Sequence, residues 1–304
     1  MSRYFDSKNT QFLNPEIKQN GNHMIITNVQ KPPLKKIVNI DTKFQEEYNS
    51  SSYATLTYNL PQPIHDVKSI YVPFMEVPYS FYNFSEQKGN NSFIIVENTT
   101  GTEYILKIPD DQYTKSELIS YLSGLMTGAL NNISITEEND KTKIDVSSGD
   151  FTFYWNVSAI KGSSLDADYD KTKLKSRLGW YLGFREPSCT GSSFKSEGMI
   201  NVNTTNYLFL VVDEFSQNHP NSFVSPLSDS YINKNILARM QVEHHNEFGK
   251  IISGAFTKNL ISDKRSYGSK MNIYKLKIQL VDEWGVPLDL NKLDFSLVLE
   301  IEYE

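Results

Sequence analysis

The sequence predicts a mainly β protein: a jelly-roll β-sandwich of two antiparallel sheets, with an α+β insertion domain and an extended N-terminal arm. Three observations carry this. The closing segments MNIYKLKIQL and DFSLVLEIEYE alternate apolar and polar side chains with a period of two. Short β-branched and aromatic runs, bounded by Pro, Asn, Ser and Gly clusters, fill residues 37–96 and return after residue 200. Between these halves, one stretch has helical spacing instead. The boundaries that follow are 1–35 for the arm, 36–96 and 188–304 for the split sandwich, and 97–187 for the insertion.

Taken in order, residues 1–35 are polar, Asn-rich and non-periodic, and end in QKPPLKK, a segment that proline keeps extended. So polar an arm has little apolar surface for its own core and is expected to lie on a neighbouring molecule. KKIVNIDTKF, YATLTYNL, VKSIYVPFMEVP and NSFIIVEN then read as strands. TEYILKIP leads into YTKSELISYLSGLMTGALNN, where Thr114 and Glu117 form a capping-box pattern. Leu118, Leu122, Leu125, Met126 and Leu130 fall on one helical face, most simply the insertion's own core. ISITEENDKTKIDVSS reads as a hairpin around Glu138 to Lys141, FTFYWNV as a strand, and DKTKLKSRLGWYLGF as a short helix stopped near Gly183.

NYLFLVVDEF, ILARMQVEH and KIISGAFTKNLI resume the strand texture. In the closing pair, Ile273, Leu276, Ile278 and Leu280 oppose Lys275, Lys277 and Gln279. Phe295, Leu297, Leu299, Ile301 and Tyr303 likewise alternate with Ser296, Glu300, Glu302 and Glu304. The link through Trp284, Gly285, Pro287 and Asp289 to Asp294 exceeds the usual hairpin loop of about two to five residues. It is therefore expected to cross between facing sheets, placing 271–281 in one and 294–303 in the other.

The 304 residues, 39% hydrophobic and 12% aromatic, suffice for a sizeable core. A formal charge of −6 argues against a broad nucleic-acid-binding surface. The single cysteine, Cys189, allows no intrachain disulfide framework and fits a reducing compartment. No apolar run has membrane-spanning length and the first residues lack a signal-peptide core, so a soluble, unsecreted chain is expected. Sequons such as those at Asn83 and Asn156 arise readily in a chain this rich in Asn, Ser and Thr and carry no weight.

Chemistry is sparse. Of His23, His65, His219, His244 and His245, only the His244–His245 pair with Glu243 and Glu247 suggests a metal, and adjacent strand residues point to opposite faces. Cys189 has no local histidine to activate it. The carboxylate pairs Asp110–Asp111, Glu137–Glu138, Asp213–Glu214 and Asp282–Glu283 sit at turns or strand ends, where solvation is expected. P-loop, GxGxxG, GxSxG and HExxH patterns do not occur. The aromatics of RLGWYLGFR and WGVPLDLNKLDF are expected to pack in cores.

LVDEWGVPLDLNKLDFSLVLEIEYE resembles the terminal strands of penton and minor capsid proteins of nucleocytoplasmic large DNA viruses, the giant viruses. The YTKSELISYL helix, RLGWYLGFRE and the run HDVKSIYVPFMEVPYSFYNFSEQKGNNSFIIV resemble the same proteins. The resemblance implies a virion structural protein made in the host cytoplasm, with no catalytic residue, cofactor or metal. It also implies self-association as a homopentamer at the fivefold vertices, contacts with the major capsid protein and other minor capsid proteins, and room for a vertex fibre or spike. A cementing position elsewhere in the shell is the nearest competing role. A glycan- or receptor-binding spike would instead display Tyr79, Phe81, Tyr82 and Phe84 together, and an entry hydrolase would converge two carboxylates in one pocket.

Overall fold

The computed structural model describes residues 17–20, 23–26, 32–45, 54–156, 171–215, 223–227, 230–243, 247–255, 258–262 and 264–304. A short hairpin, β1 (Ile17–Asn20) and β2 (His23–Ile26), forms a sheet of its own. β3 (Leu34–Asp41) and the long β4 (Thr55–Pro78) follow. Then come β5 (Ser92–Glu97), β6 (Thr102–Lys107), helix α1 (Lys115–Gly124), β7 (Ile133–Glu138), β8 (Lys141–Val146) and β9 (Phe151–Tyr154). The one-turn helix α2 (Leu178–Tyr181) precedes β10 (Ser188–Thr190) and β11 (Ser193–Lys195). The chain closes with β12 (Tyr207–Asp213), β13 (Ile236–Gln241), β14 (Ile251–Ala255), β15 (Leu260–Ser262), β16 (Arg265–Val281) and β17 (Ser296–Tyr303).

The protein is mainly β and jelly-roll-like, built on one large curled antiparallel sheet ordered β15-β13-β12-β16-β4-β17-β3, with β14 added to β4. The closing strands β16 and β17 are not neighbours, as the long link required, but neither do they lie in separate sheets. β4 runs between them and pairs with both, Ile278 opposite Leu56 and Leu297 opposite Met75. Its 24 residues would span about 80 Å if straight, far more than a small sheet can hold flat. It bends instead. Pairing with β16 lapses between Asn59 and Ile64, where Pro61 and Pro63 can give no ladder hydrogen bond, and Asp66 takes a positive φ of 53°. Further on, Val72 and Pro73 together oppose Leu299 alone, a bulge that seats the third proline. The inward faces of both halves thereby meet in one core, with Leu56, Met75, Leu210, Ile278, Leu297 and Ile40 all buried.

A second core gathers residues between Phe84 and Val202. Here the sheet β10-β9-β5-β6 and the sheet β11-β8-β7 enclose α1 and α2. The capping box forms, Glu117 N–H donating to Thr114 Oγ1 at 3.3 Å and Thr114 N–H to Glu117 Oε2 at 2.8 Å. Leu118 and Leu122 are fully buried. The β7–β8 turn uses Asn139 and Asp140 at φ 54° and 61°, residue types that tolerate the left-handed region. Trp155 stacks on Phe184 at 4.3 Å, and Gly179 lies so close that an added Cβ would fall 2.2 Å from the Trp155 Cβ. β5, read from its texture as a sandwich strand, sits instead in the middle of this second sheet. The turn from Asn98 to Gly101 makes it a hairpin partner of β6, and that local pairing decides its place.

The end of the expected arm, Leu34 and Lys35, is the start of β3, paired with Tyr303 and Glu302 of the same chain. Most of residues 1–31 lie outside the described residues. Among the described residues, no helix is long and apolar enough to cross a membrane.

Candidate functional site

The segment YSFYNFSEQKGNN, residues 79–91, joins β4 to β5 and is where the two cores meet. Its aromatics are not displayed together. Tyr79 and Phe81 are buried in the first core, edge to face at 5.1 Å, while Phe84 is buried in the second against Tyr181. Half-buried Tyr82 stacks on Phe248 at 5.9 Å. The glycan-platform expectation therefore finds three of its four rings buried inside the subunit and only Tyr82 partly exposed.

The asparagines, which read as turn formers, are buried hydrogen-bonding parts of this joint. Asn83 Nδ2 donates to the carbonyls of Tyr113 (2.8 Å) and Val202 (3.0 Å), and its Oδ1 accepts Tyr113 N–H at 2.9 Å. Asn90 donates to the Asn83 carbonyl and accepts Ser85 N–H, both at 2.9 Å. Asn91 Nδ2 donates to the Ile108 carbonyl and to Asp110 Oδ1. Each replaces backbone partners that an irregular buried segment otherwise lacks.

Lys88 lies at the centre of the joint. Its Nζ donates to the Tyr82 carbonyl at 2.7 Å, Thr205 Oγ1 at 3.0 Å and Thr204 Oγ1 at 3.3 Å. Burial pushes its pKa down to about 8, against the opposing pull of the Asp282 and Glu283 carboxylates. Asp282, buried at the end of β16, accepts Trp284 and Val286 N–H at 2.9 and 2.8 Å, yet burial still holds its pKa above the usual range. A cavity of about 160 Å³ and another of about 100 Å³ flank these two residues, and both are lined by Lys88 and Asp282.

The carboxylate pairs expected at solvated turns divide. Glu137 and Glu138 do face outward, in ion pairs with Lys115 (2.9 Å) and Lys195 (3.1 Å). Glu214 and Asp282 are buried: Glu214 bonds the distant Arg265 at 2.8 Å and accepts the Tyr267 hydroxyl at 2.7 Å, whereas Asp282 is held by the N–H groups of its own turn. Asp110, Asp282 and Asp289 do line one cavity, of about 160 Å³. Each of the three is also engaged by backbone N–H groups, of Glu86, of Trp284 and Val286, and of Asn291. Cys189 accepts the Trp155 indole N–H at 3.0 Å, and burial pushes its thiol up to about 12, so it offers no thiolate. His219, His244 and His245 lie outside the described residues. Among those described, no cluster of three or more His, Cys, Asp or Glu is placed to hold a metal ion.

One open feature of the surface is the β3 edge. β3 pairs with β17 on one side, and among the described residues no strand covers the other. Along it and just beyond, Leu34, Ile37 and Phe44 are 57%, 70% and 73% exposed. Lys35 and Lys36 interleave with them, the charged guard that edge strands commonly carry against unspecific pairing. β17 beside it bears a ladder in which Glu300 meets Lys35 at 2.5 Å, Glu302 meets Lys264 at 2.5 Å and Glu304 meets Lys68 at 2.6 Å.

No protein-family model matches the chain, and no curated protein matches it. Among solved structures it is similar to the mavirus penton protein, with 11% identity and a TM-score of 0.41 over 89% of this chain and all of that one. It is also similar to a chain of the Sputnik virophage particle, with 15% identity and a TM-score of 0.41 over 90% and 98%. At these scores the likeness assigns neither family nor function.

Proposed function

We propose that this chain is a structural protein of an icosahedral virus capsid, a penton that closes the fivefold vertices and works by contact. The observation that carries the reading is the β3 edge: an eight-residue strand with one side of its backbone uncovered among the described residues, and with Leu34, Ile37 and, just beyond it, Phe44 exposed. The resemblance of the closing strands and of the 79–91 segment to penton and minor capsid proteins supports it. So does the burial of Tyr79, Phe81 and Phe84, three of the four aromatics that a glycan-binding spike would have shown. Its partners are copies of itself in a ring of five and the neighbouring major capsid protein, and its place is the virion shell. The arm of residues 1–35, whose greater part lies outside the described residues, reaches a neighbouring subunit in this proposal.

Native mass spectrometry of the purified chain, with cryo-electron microscopy of particles carrying it, tests the reading. A pentamer, and density at the vertices, are the expected results. A chain that stays monomeric and is absent from particles overturns the capsid role, and density between capsomers overturns the vertex in favour of a cementing position.

A further inference from the structure

The β1–β2 hairpin is a sheet without a partner. Its two four-residue strands pair with each other, Ile17 opposite Ile26 and Gln19 opposite Met24, and among the described residues no other strand adds to them. A two-stranded hairpin standing alone in water is marginally stable at best. Opposed and alternate residues fall on the same side of such a ribbon, so Ile17, Met24 and Ile26 share one face of it. The β3 edge has the complementary lack. One side of its backbone is uncovered among the described residues, with Leu34 and Ile37 exposed along it. Lys35, which guards that edge, is drawn back over β17 by Glu300 at 2.5 Å and leaves room for an incoming strand. Adding the hairpin to β3 would give the one its third strand and the other its missing ladder of hydrogen bonds.

The connection decides whose β3 it is. Seven residues, 27–33, lie between the end of β2 and the start of β3. The last two are Pro32 and Pro33, which fix φ at about −65° and disfavour a turn at the residue ahead of them. A reversal onto the chain's own β3 is therefore confined to residues 27–30. A turn there lays β2 against residues 31–33, where the prolines give no ladder donor, and not against β3. Stretched out, the seven residues reach about 25 Å, enough to cross to an adjoining molecule.

We propose that the β1–β2 hairpin of each subunit adds to the β3 edge of the next copy, an inference that rests on the capsid ring proposed above and names its contact. Each chain then gives one hairpin and receives one. The giving and receiving surfaces differ, so the contact is heterologous, the kind that closes into rings. A two-fold pairing of β3 with β3 would instead leave both hairpins alone and stop at two copies.

The test uses two full-length chains of different mass, one Met24→Cys and the other Ile37→Cys, co-expressed and treated with a short bis-maleimide. The native Cys189 is half-buried, with its thiol pushed up to about 12 by burial, and does not compete. The expected product is a covalent pair of the two different chains. Amide hydrogen exchange gives a second readout: the amides of residues 34–41 that do not bond β17 should be protected in the assembled chain. That protection should fall about tenfold or more in Ile25→Pro, which breaks the hairpin and leaves β3 untouched. Ile37→Cys chains joined to each other would show a two-fold β3 contact, and a chain carrying both cysteines but cross-linked only within itself would show pairing with its own β3; either overturns the proposal. If native mass spectrometry gives a pentamer but the two chains do not join, or Ile25→Pro leaves the protection unchanged, the hairpin contact is wrong and the penton reading stands. A chain that stays monomeric overturns both.

Discussion

Arg265 offers a sharp test of how the curled sheet is held. Its guanidinium is buried at the start of β16, donating from Nη1 to Glu214 Oε2 and the Val212 carbonyl, both at 2.8 Å. From Nη2 it reaches the carbonyls of Asn235 (3.0 Å) and Ile236 (3.2 Å). One side chain thereby ties the end of β12 and the start of β13 to β16. Arg265→Met keeps roughly the volume but leaves Glu214 buried without its guanidinium partner, and breaking a buried pair from one side costs about 3–5 kcal/mol. That is a large part of the roughly 5–15 kcal/mol by which a domain is stable. Replacing both partners, Arg265→Met with Glu214→Met, removes the stranded charge. What remains is mainly the unsatisfied Tyr267 hydroxyl and the freed carbonyls, about 1–3 kcal/mol. Urea unfolding followed by far-ultraviolet circular dichroism should place the double variant nearer the native chain than Arg265→Met alone. If the double variant is destabilised by the sum of the two single changes, the pair is not acting as a coupled buried unit and this reasoning fails.

Three further outcomes follow from the same structure. Leu122→Asp places a charge in the fully buried centre of the second core, so hydrogen exchange should lose protection in residues 92–97 and 151–154 while 297–301 keep theirs; simultaneous loss in all three would show one cooperative unit rather than two. Gly179→Ala forces its new methyl against Trp155, costing about 1–3 kcal/mol and disturbing the Trp155–Phe184 stack, which an unchanged near-ultraviolet circular-dichroism spectrum would contradict. Glu302 is held below its ordinary carboxylate range, first by the Lys264 hydrogen bond. Its stabilising effect is present above the ordinary 4.5 and lost as pH falls below it, so Glu302→Gln should flatten the acid limb of a thermal-unfolding profile.

Much of the local structure was legible in the sequence. The Thr114–Glu117 box, the Leu118 and Leu122 face, the hairpin turning at Glu138 to Lys141 and the alternation of β16 and β17 all rest on spacing within a few residues, which is what a sequence records directly. The single curled sheet was not legible, because a period of two says which face a strand buries and not which strand lies beside it. Pro61 and Pro63 read as a break between two short strands, whereas in β4 they, like Pro73, occupy the lapses in pairing that let one long strand bend. The joint was missed for a related reason. Its run of asparagines has the composition of a solvated turn, and the partners that make them structural, Tyr113, Ile108 and Val202, stand far along the chain. Glu214 was misread as solvated because Arg265 cannot be paired with it by spacing, and Asp282 because its donors, Trp284 and Val286 N–H, are those of an ordinary turn. The one available hint was a lysine set among Gln87, Gly89, Asn90 and Asn91, in a segment with too many apolar rings to be exposed.

A joint made of hydrogen bonds differs in kind from one made of apolar contact. An apolar interface tolerates sliding and repacking, since it depends on area more than on angle. Asn83 and Asn90 tolerate neither, because a buried donor or acceptor displaced from its partner incurs about 1–3 kcal/mol each. The joint therefore fixes the attitude of the second core relative to the curled sheet, and with it the direction in which the β3 edge faces relative to α1 and β6. A protein proposed to act by fitting between copies of itself needs that constancy more than it needs a large stabilising energy.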